Sequence, residues 1–226
     1  LENETAGITK FCIHPSAWYK TKKRVGGTKT IQLDKIHQIH PDLIIANKEE
    51  NVKEQIEQMA HDYPVWLTDV HNLEEALQMI EDIGSLTGKD ERAVSLIGQI
   101  KTGFDSITKI EKPVKTAYLI WRKPYLTTGG DTFIHDMLLH CGFDNIFKHK
   151  NRYPETTIAE LQSANCQLLL LSSEPYPFKQ KHFDELIKHL PETKIILVDG
   201  ELFSWYGSRL LKAPVYFNKL INSILN

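Results

Sequence analysis

Two stretches of the chain, 31–69 and 157–199, repeat the same alternation of apolar and polar residues. Each predicts a short helix, a buried strand, a polar loop, a helix and a second buried strand. The match runs at one offset of 125 residues and pairs Leu33 with Ile158, Leu43 with Leu168, and Glu49 with Glu174. Because a β-α-β order favours parallel strands, we predict an α/β protein with two Rossmann-like lobes.

Between the lobes, residues 72–110 carry apolar side chains at helical spacing. Glycines between 84 and 89 predict a break or a bend there. A continuous helix of about 38 residues would measure roughly 55 Å. We therefore predict an N-terminal lobe over 1–71, a connecting helix over 72–112 and a C-terminal lobe over 113–226.

Composition narrows the class of protein further. The 226 residues carry a net charge of −2, which argues against a nucleic-acid-binding protein. Apolar runs are too short for a membrane-spanning helix, so we expect a soluble globular chain. The three cysteines, Cys12, Cys141 and Cys166, form no CxxC pair, which weakens zinc-ribbon and thioredoxin hypotheses.

Ligands of α/β sheets bind beyond the carboxyl ends of the strands. The segments expected there are TKFCIHP, ANKEEN, WRKPYLTTGGD, SSEPYPF and DGELFSWYGSR. They are rich in aromatic and basic residues, which suits a large, flat or amphipathic ligand. The alternative is that these aromatics close the strand ends as ordinary core. Nucleophile-elbow, HExxH and Walker motifs are absent, so the residues give no positive evidence for catalysis and we assign no catalytic residue.

Two further groups carry candidate chemistry. Cys12 and His14 stand two residues apart and could present both side chains to a metal ion, the alternative being a buried cysteine beside a loop histidine. Glu49, Glu50 and Glu174 are expected at helix starts, where the helix dipole already favours acidic residues. Their equivalent placement in the two lobes still leaves room for a partner that touches both.

The order of these motifs resembles a known family. The run from Leu33 to Ile45, with its Pro-Asp-Leu-Ile-Ile, the segment Gly142–Phe147 and the final WYGSR are similar to class III substrate-binding proteins of ABC transporters. The closest likeness is to the cobalamin-binding branch. The resemblance implies two α/β lobes joined by a long backbone helix, and binding and delivery of a ligand rather than catalysis.

The resemblance also implies which residues serve. Ligand-binding positions in the cleft between the lobes would be His14, Trp18, Trp121, Tyr125, Tyr176, Phe178, Trp205 and Arg209. Arg209 would pair with a phosphate or carboxylate, and His14 or Cys12 would touch a metal centre. Docking on an ABC permease in the membrane would use Glu49, Glu50, Glu54 and Glu174. Cobalamin, or another metal chelate such as an iron-siderophore or haem, would be transported cargo rather than a catalytic cofactor.

The family normally begins with a strand and a helix that this sequence does not show, so we expect an N-terminal lobe without its first strand. The resemblance implies a monomer that is periplasmic or anchored at the cell envelope, although no signal is visible and a cytoplasmic location stays open. The rival hypotheses are a cytoplasmic enzyme or metal-binding protein using Cys12 and His14, and a scaffold without a small ligand.

Overall fold

The computed structural model describes residues 1–225, and the chain divides into two compact units, 1–69 and 70–226. The N-terminal unit contains β1 (Gly7–Ile8), α1 (Ser16–Thr21), β2 (Lys23–Arg24), α2 (Leu33–His37), β3 (Ile44–Asn47), α3 (Lys53–Ala60) and β4 (Val65–Thr68). β1 pairs with β2, and β3 pairs with β4, both in parallel. The predicted β-α-β unit of this part is confirmed.

A small core holds the N-terminal unit together. Ile36 of α2, Ala46 of β3, and Ile56 and Met59 of α3 are buried against one another.

The C-terminal unit begins with two helices and continues as an α/β sheet. Its elements are α4 (Leu73–Leu86), α5 (Asp90–Asp105), β5 (Val114–Leu119), β6 (Tyr125–Leu126), α6 (Phe133–His140), β7 (Phe143–Asn145), β8 (Glu155–Thr156), α7 (Ile158–Ser163), β9 (Leu168–Ser172), α8 (Gln180–Leu186), β10 (Lys194–Val198), α9 (Glu201–Ser204) and α10 (Ala213–Leu225). A 3₁₀ turn at Ser208–Leu211 precedes α10. The sheet order is β7-β5-β9-β10, with every pairing parallel.

The sheet of the C-terminal unit is covered on both faces. All five residues of β9 are buried, as expected for a central parallel strand. One core cluster lies on the side of α4, α5, α6 and α10, and a second lies on the side of α7 and α8. The α/β class and the predicted strands are confirmed.

The segment between the predicted lobes is two helices, not one rod of 55 Å. α4 ends at Leu86 and α5 begins at Asp90, and Gly88 between them has a φ of +63°, which favours glycine. The helices pack against each other at Gly84, where an added Cβ would lie 2.5 Å from that of Ala93. The predicted break is confirmed, and the close packing of the two helices favours the turn between them. Both helices share the core of the C-terminal unit, whereas the three-part division stays a prediction.

No helix within residues 1–225 has both the length and the apolar character needed to cross a membrane.

Candidate functional site

An aromatic cluster lies where β5 and β9 end. Trp121 follows β5 and Tyr176 follows β9, and their ring centroids are 5.7 Å apart at 70°. Phe178 packs edge-on against Tyr176 at 4.9 Å. The structure thus brings together three of the residues that the resemblance implied, from two separate loops.

The members of this aromatic cluster differ in accessibility. Trp121 is 40% exposed, whereas Phe178 is 6% exposed and belongs to the core beneath the sheet. An antiparallel bridge between Trp121 and Leu126 closes the intervening loop. Trp121 therefore has surface accessible to solvent, whereas Phe178 is part of the core, as the alternative interpretation of these aromatics expected.

His182 fixes Tyr176 from behind. Its Nδ1 accepts a hydrogen bond from the backbone N–H of Lys179 at 2.9 Å, so the ring proton of the neutral form is on Nε2, 3.2 Å from the hydroxyl of Tyr176. Burial lowers the pKa of His182, which keeps the imidazole neutral near pH 7. This second-layer histidine was not predicted, since its spacing resembles that of an ordinary helix residue.

A charged pair lies next to the aromatic cluster. Arg122 Nη2 donates to both carboxylate oxygens of Glu185, at 2.8 and 2.6 Å. This contact raises the pKa of Arg122 and lowers that of Glu185. Nε of Arg122 is buried and has no partner among residues 1–225. Tyr125, predicted to bind ligand, is part-buried beside Arg122, and burial raises its pKa.

Trp205 is anchored by Glu174. The indole Nε1 donates to Glu174 Oε1 at 2.6 Å, and Ser204 Oγ donates to the same oxygen at 2.9 Å. Gly200 permits this approach, because an added Cβ would lie 2.7 Å from Cγ of Glu174. Burial raises the pKa of Glu174. The two residues were predicted to serve different partners. In the structure they contact each other, and both roles stay predictions.

The structure corrects the expected position of the acidic residues. Glu174 lies in a loop six residues before α8, and Glu49 and Glu50 lie in a turn before α3, so none of these three is in a first helical turn. Glu54 alone is in the first turn of α3. Glu50 and Glu54 are exposed, whereas the carboxylate of Glu174 is engaged inside its own unit. A docking role for these residues stays a prediction.

Arg209 has an internal counter-ion. Its guanidinium contacts the carboxylate of Glu201, and both side chains are 18% exposed. Nε of Arg209 is buried without a partner in the described part of the chain. Glu201 of α9 thus already compensates the positive charge of Arg209, which was expected to pair with a ligand anion. The role of Arg209 in ligand binding stays a prediction.

In the N-terminal unit, Cys12 and His14 lie on an exposed loop before α1. Cys12 Sγ is 3.3 Å from Thr9 Oγ1. The buried-cysteine alternative is wrong, since Cys12 is exposed. Among residues 1–225, no group of three or more His, Cys, Asp or Glu could hold a metal ion. Trp18, on α1, is part-buried with Lys22 Nζ 5.9 Å from its ring centroid.

A polar network shapes the loop after β3. Asn51 accepts from the backbone N–H of Asn47 at 2.8 Å and donates to the carbonyl of Thr28 at 3.0 Å. Lys29 Nζ donates to the carbonyl of Glu49 at 2.8 Å. These bonds tie the loop after β3 to the turn that follows β2.

Known proteins resemble this chain at the levels of family and fold. A family model described as periplasmic binding protein matches residues 1–193. The vitamin B12-binding protein of Vibrio campbellii is 23% identical over 158 residues, which covers 68% of this chain and 58% of that protein. The vitamin B12-binding protein of Vibrio parahaemolyticus is 22% identical over 155 residues, covering 66% and 56%. The alignments thus span less than two thirds of the relatives' length.

Solved structures extend the likeness to nearly the whole chain. The periplasmic vitamin B12-binding protein of Vibrio cholerae superposes with a TM-score of 0.76 at 16% identity, covering 98% of this chain and 89% of that one. The periplasmic haem-binding protein of Vibrio cholerae reaches 0.80 at 16% identity, covering 96% and 90%. At such identities the likeness shows the fold, which is the predicted class III fold. The chain belongs to the periplasmic binding protein family.

Proposed function

We propose that this protein is the substrate-binding component of an ABC importer that captures cobalamin or a related corrinoid and delivers it to a membrane permease. Its location would be the cell envelope, and the corrinoid would be cargo rather than a cofactor. The names of the B12-binding relatives support this ligand. They also support binding rather than catalysis.

The observation that carries the proposal is the aromatic cluster of the C-terminal unit. Trp121 and Tyr176 come from the ends of adjacent parallel strands, and Trp121 is 40% exposed. Aromatic faces bury large apolar area with little loss of side-chain freedom. Such a surface suits the flat, amphipathic edge of a corrin ring.

Haem or an iron-siderophore is the second candidate cargo. The haem-binding structure from Vibrio cholerae is as similar in fold as the B12-binding one. An exposed tryptophan would pack equally well against a porphyrin. The fold therefore supports a tetrapyrrole or metal-chelate receptor, and the choice of cargo depends on binding measurements.

Exposed Cys12 and His14 support a different class of function, a metal-binding protein or an enzyme. A complete metal site commonly needs more than two protein ligands. This alternative predicts that Cys12→Ser combined with His14→Ala abolishes metal binding or enzymatic activity. The corrinoid proposal predicts a folded protein that releases its ligand chemically unchanged.

The test is a calorimetric titration of the purified chain with cyanocobalamin and, in a second arm, with haemin. We expect saturable one-to-one cyanocobalamin binding that weakens about tenfold or more in Trp121→Ala, as for other aromatic anchors. Trp121→Phe should retain part of the affinity, and Trp66→Phe in β4 is the matched control. Binding of haemin without binding of cyanocobalamin would change the proposed cargo from a corrinoid to haem. A folded protein that binds neither would overturn the proposal.

Permease docking is the other part of the proposal. Glu50 and Glu54 are exposed in the N-terminal unit, and carboxylates could pair with permease arginines. Glu50→Gln with Glu54→Gln should leave cyanocobalamin affinity unchanged and reduce stimulation of permease ATPase activity. Unchanged stimulation in this variant would exclude both residues from docking.

A further inference from the structure

The segment 10–35 is strongly basic, although the chain as a whole is slightly acidic. It carries seven Lys and Arg residues and a single acidic residue, Asp34, against a net charge of −2 for the chain. Such local excess creates a positive field that attracts anions. The fold brings three of these cations together.

A cavity of about 470 Å³ in the N-terminal unit gathers three of them. Its lining includes Lys10, Arg24 and Lys35, together with the neutral amides of Gln32 and Gln55, and no acidic residue lines it. The volume lies within the range of about 300–1,000 Å³ that is usual for small-molecule sites. Its lining offers hydrogen-bond donors from three separate parts of the unit.

The backbone holds these parts in place. Gly26 has a φ of +114°, and an added Cβ would lie 2.3 Å from the carbonyl of Thr30, so the turn after β2 requires glycine. The backbone N–H of Lys10 donates to the carbonyl of Gly26 at 2.8 Å. Lys35 Nζ lies 3.4 Å from the carbonyl of Arg24. The three cations therefore surround one concave surface that the main chain has formed.

Within the described part of the chain, these three charges have no salt-bridge partner and no acidic residue lines their cavity. Among residues 1–225, neither Lys10, Arg24 nor Lys35 takes part in a salt bridge. Arg24 donates to the backbone carbonyl of Tyr19 and lies 5.0 Å over its ring, and both of these partners are uncharged. Three like charges around one cavity repel one another, and a bound anion would relieve that repulsion.

We propose that this cavity binds a small anion with two or more negative charges, carried by carboxylate or phosphate groups. The planar guanidinium of Arg24 suits a bidentate contact with such a group, and the two ammonium groups suit the remaining charge. The site lies wholly within the N-terminal unit. Its lining residues are distinct from those of the aromatic cluster in the C-terminal unit, so different variants test the two proposals.

The test uses citrate and inorganic phosphate as probes in calorimetric titrations of the whole chain at low ionic strength. We expect saturable one-to-one binding of at least one probe, weakened by added salt because the lining cations are exposed. Lys10→Gln with Lys35→Gln should weaken binding about tenfold or more. Lys20→Gln with Lys23→Gln removes the same charge from exposed positions outside the cavity and should change affinity by less than about twofold.

Three results would overturn the proposal. One is the absence of saturable binding of either probe to the folded wild-type protein. Another is an equal loss in both double variants, since that would indicate a diffuse charge effect rather than a site. The third is binding to phosphatidylglycerol vesicles without binding of free citrate or phosphate, which would assign the basic segment to a membrane surface. A tighter affinity for citrate or for phosphate identifies the preferred group.

Discussion

The loops after β3 and β9 occupy equivalent places in the repeated pattern but differ in chemistry. The loop after β3 is polar and is held by backbone contacts of Asn47 and Asn51. The loop after β9 carries Tyr176 and Phe178, and its carboxylate at Glu174 is bonded inward. The shared scaffold thus sets where loops lie, and loop sequence sets what each can bind. In this chain the C-terminal unit offers aromatic surface and the N-terminal unit offers positive charge.

The strands of the two units also differ in how deeply their side chains are buried. β9 is buried at every position, whereas Ile45 of β3 is 47% exposed. Apolar burial contributes about 25 cal/mol per Å², so equivalent positions should contribute unequally to stability. Three sets of substitutions, each with a matched control, examine how far this contrast extends.

The largest effect is expected at the matched pair Leu170 and Ile45. Leu170→Ala removes a fully buried side chain from β9 and should lower the free energy of unfolding by about 2–5 kcal/mol. Ile45→Ala, at the equivalent position of β3, should cost less than about 1 kcal/mol. Urea denaturation followed by circular dichroism measures both. Equal losses would mean that the two strands are equally packed.

The second effect concerns Glu174 and its matched residue, Glu49. Glu174→Leu removes the carboxylate oxygen that accepts from Trp205 Nε1 and Ser204 Oγ and should cost about 1–3 kcal/mol. Glu49→Leu is the control, with an expected change within about 0.5 kcal/mol. Glu174→Gln, which keeps an acceptor oxygen, should preserve the Trp205 fluorescence that Glu174→Leu shifts. An unshifted fluorescence spectrum in Glu174→Leu would show that Glu174 does not anchor Trp205.

The smallest effect is a pH dependence in the aromatic cluster. Burial lowers the pKa of His182, so the unfolded chain binds the proton more readily than the folded one. The stability contributed by His182 is then fully present above the ordinary histidine pKa of about 6.5 and is lost as the pH falls below it. His182→Gln should flatten this part of the stability profile, measured by denaturation between about pH 5 and pH 8.

The control for this measurement is His61→Gln, which removes an exposed histidine from the N-terminal unit. If the stability of His182→Gln falls with pH as steeply as that of the wild type, the neutral, buried state of His182 is contradicted. His182→Gln should also change the position of Tyr176, because the Tyr176 hydroxyl then loses the imidazole Nε2 that lies 3.2 Å away.

Local pattern was sufficient for the main helices and strands of the two repeated segments. Helical spacing predicted α2 and α7, and short aliphatic runs predicted β3, β9 and β10, because both periodicities follow from backbone geometry within a few residues. The break after α4 was also visible, since Gly88 adopts a conformation that other residues avoid. The resemblance added the class III fold and the family.

Only the tertiary structure decided which side chains meet. Glu174 and Trp205 are 31 residues apart, and Arg122 and Glu185 are 63 apart, so no sequence spacing relates them. The burial of Phe178, the exposure of Cys12 and the internal pairing of Arg209 likewise depend on neighbours brought in by chain packing. Secondary structure follows from local backbone preferences, whereas charge pairing and accessibility follow from long-range contacts. The sequence alone therefore determined the elements of the repeated segments, and the tertiary structure decided which side chains meet at the ends of the strands.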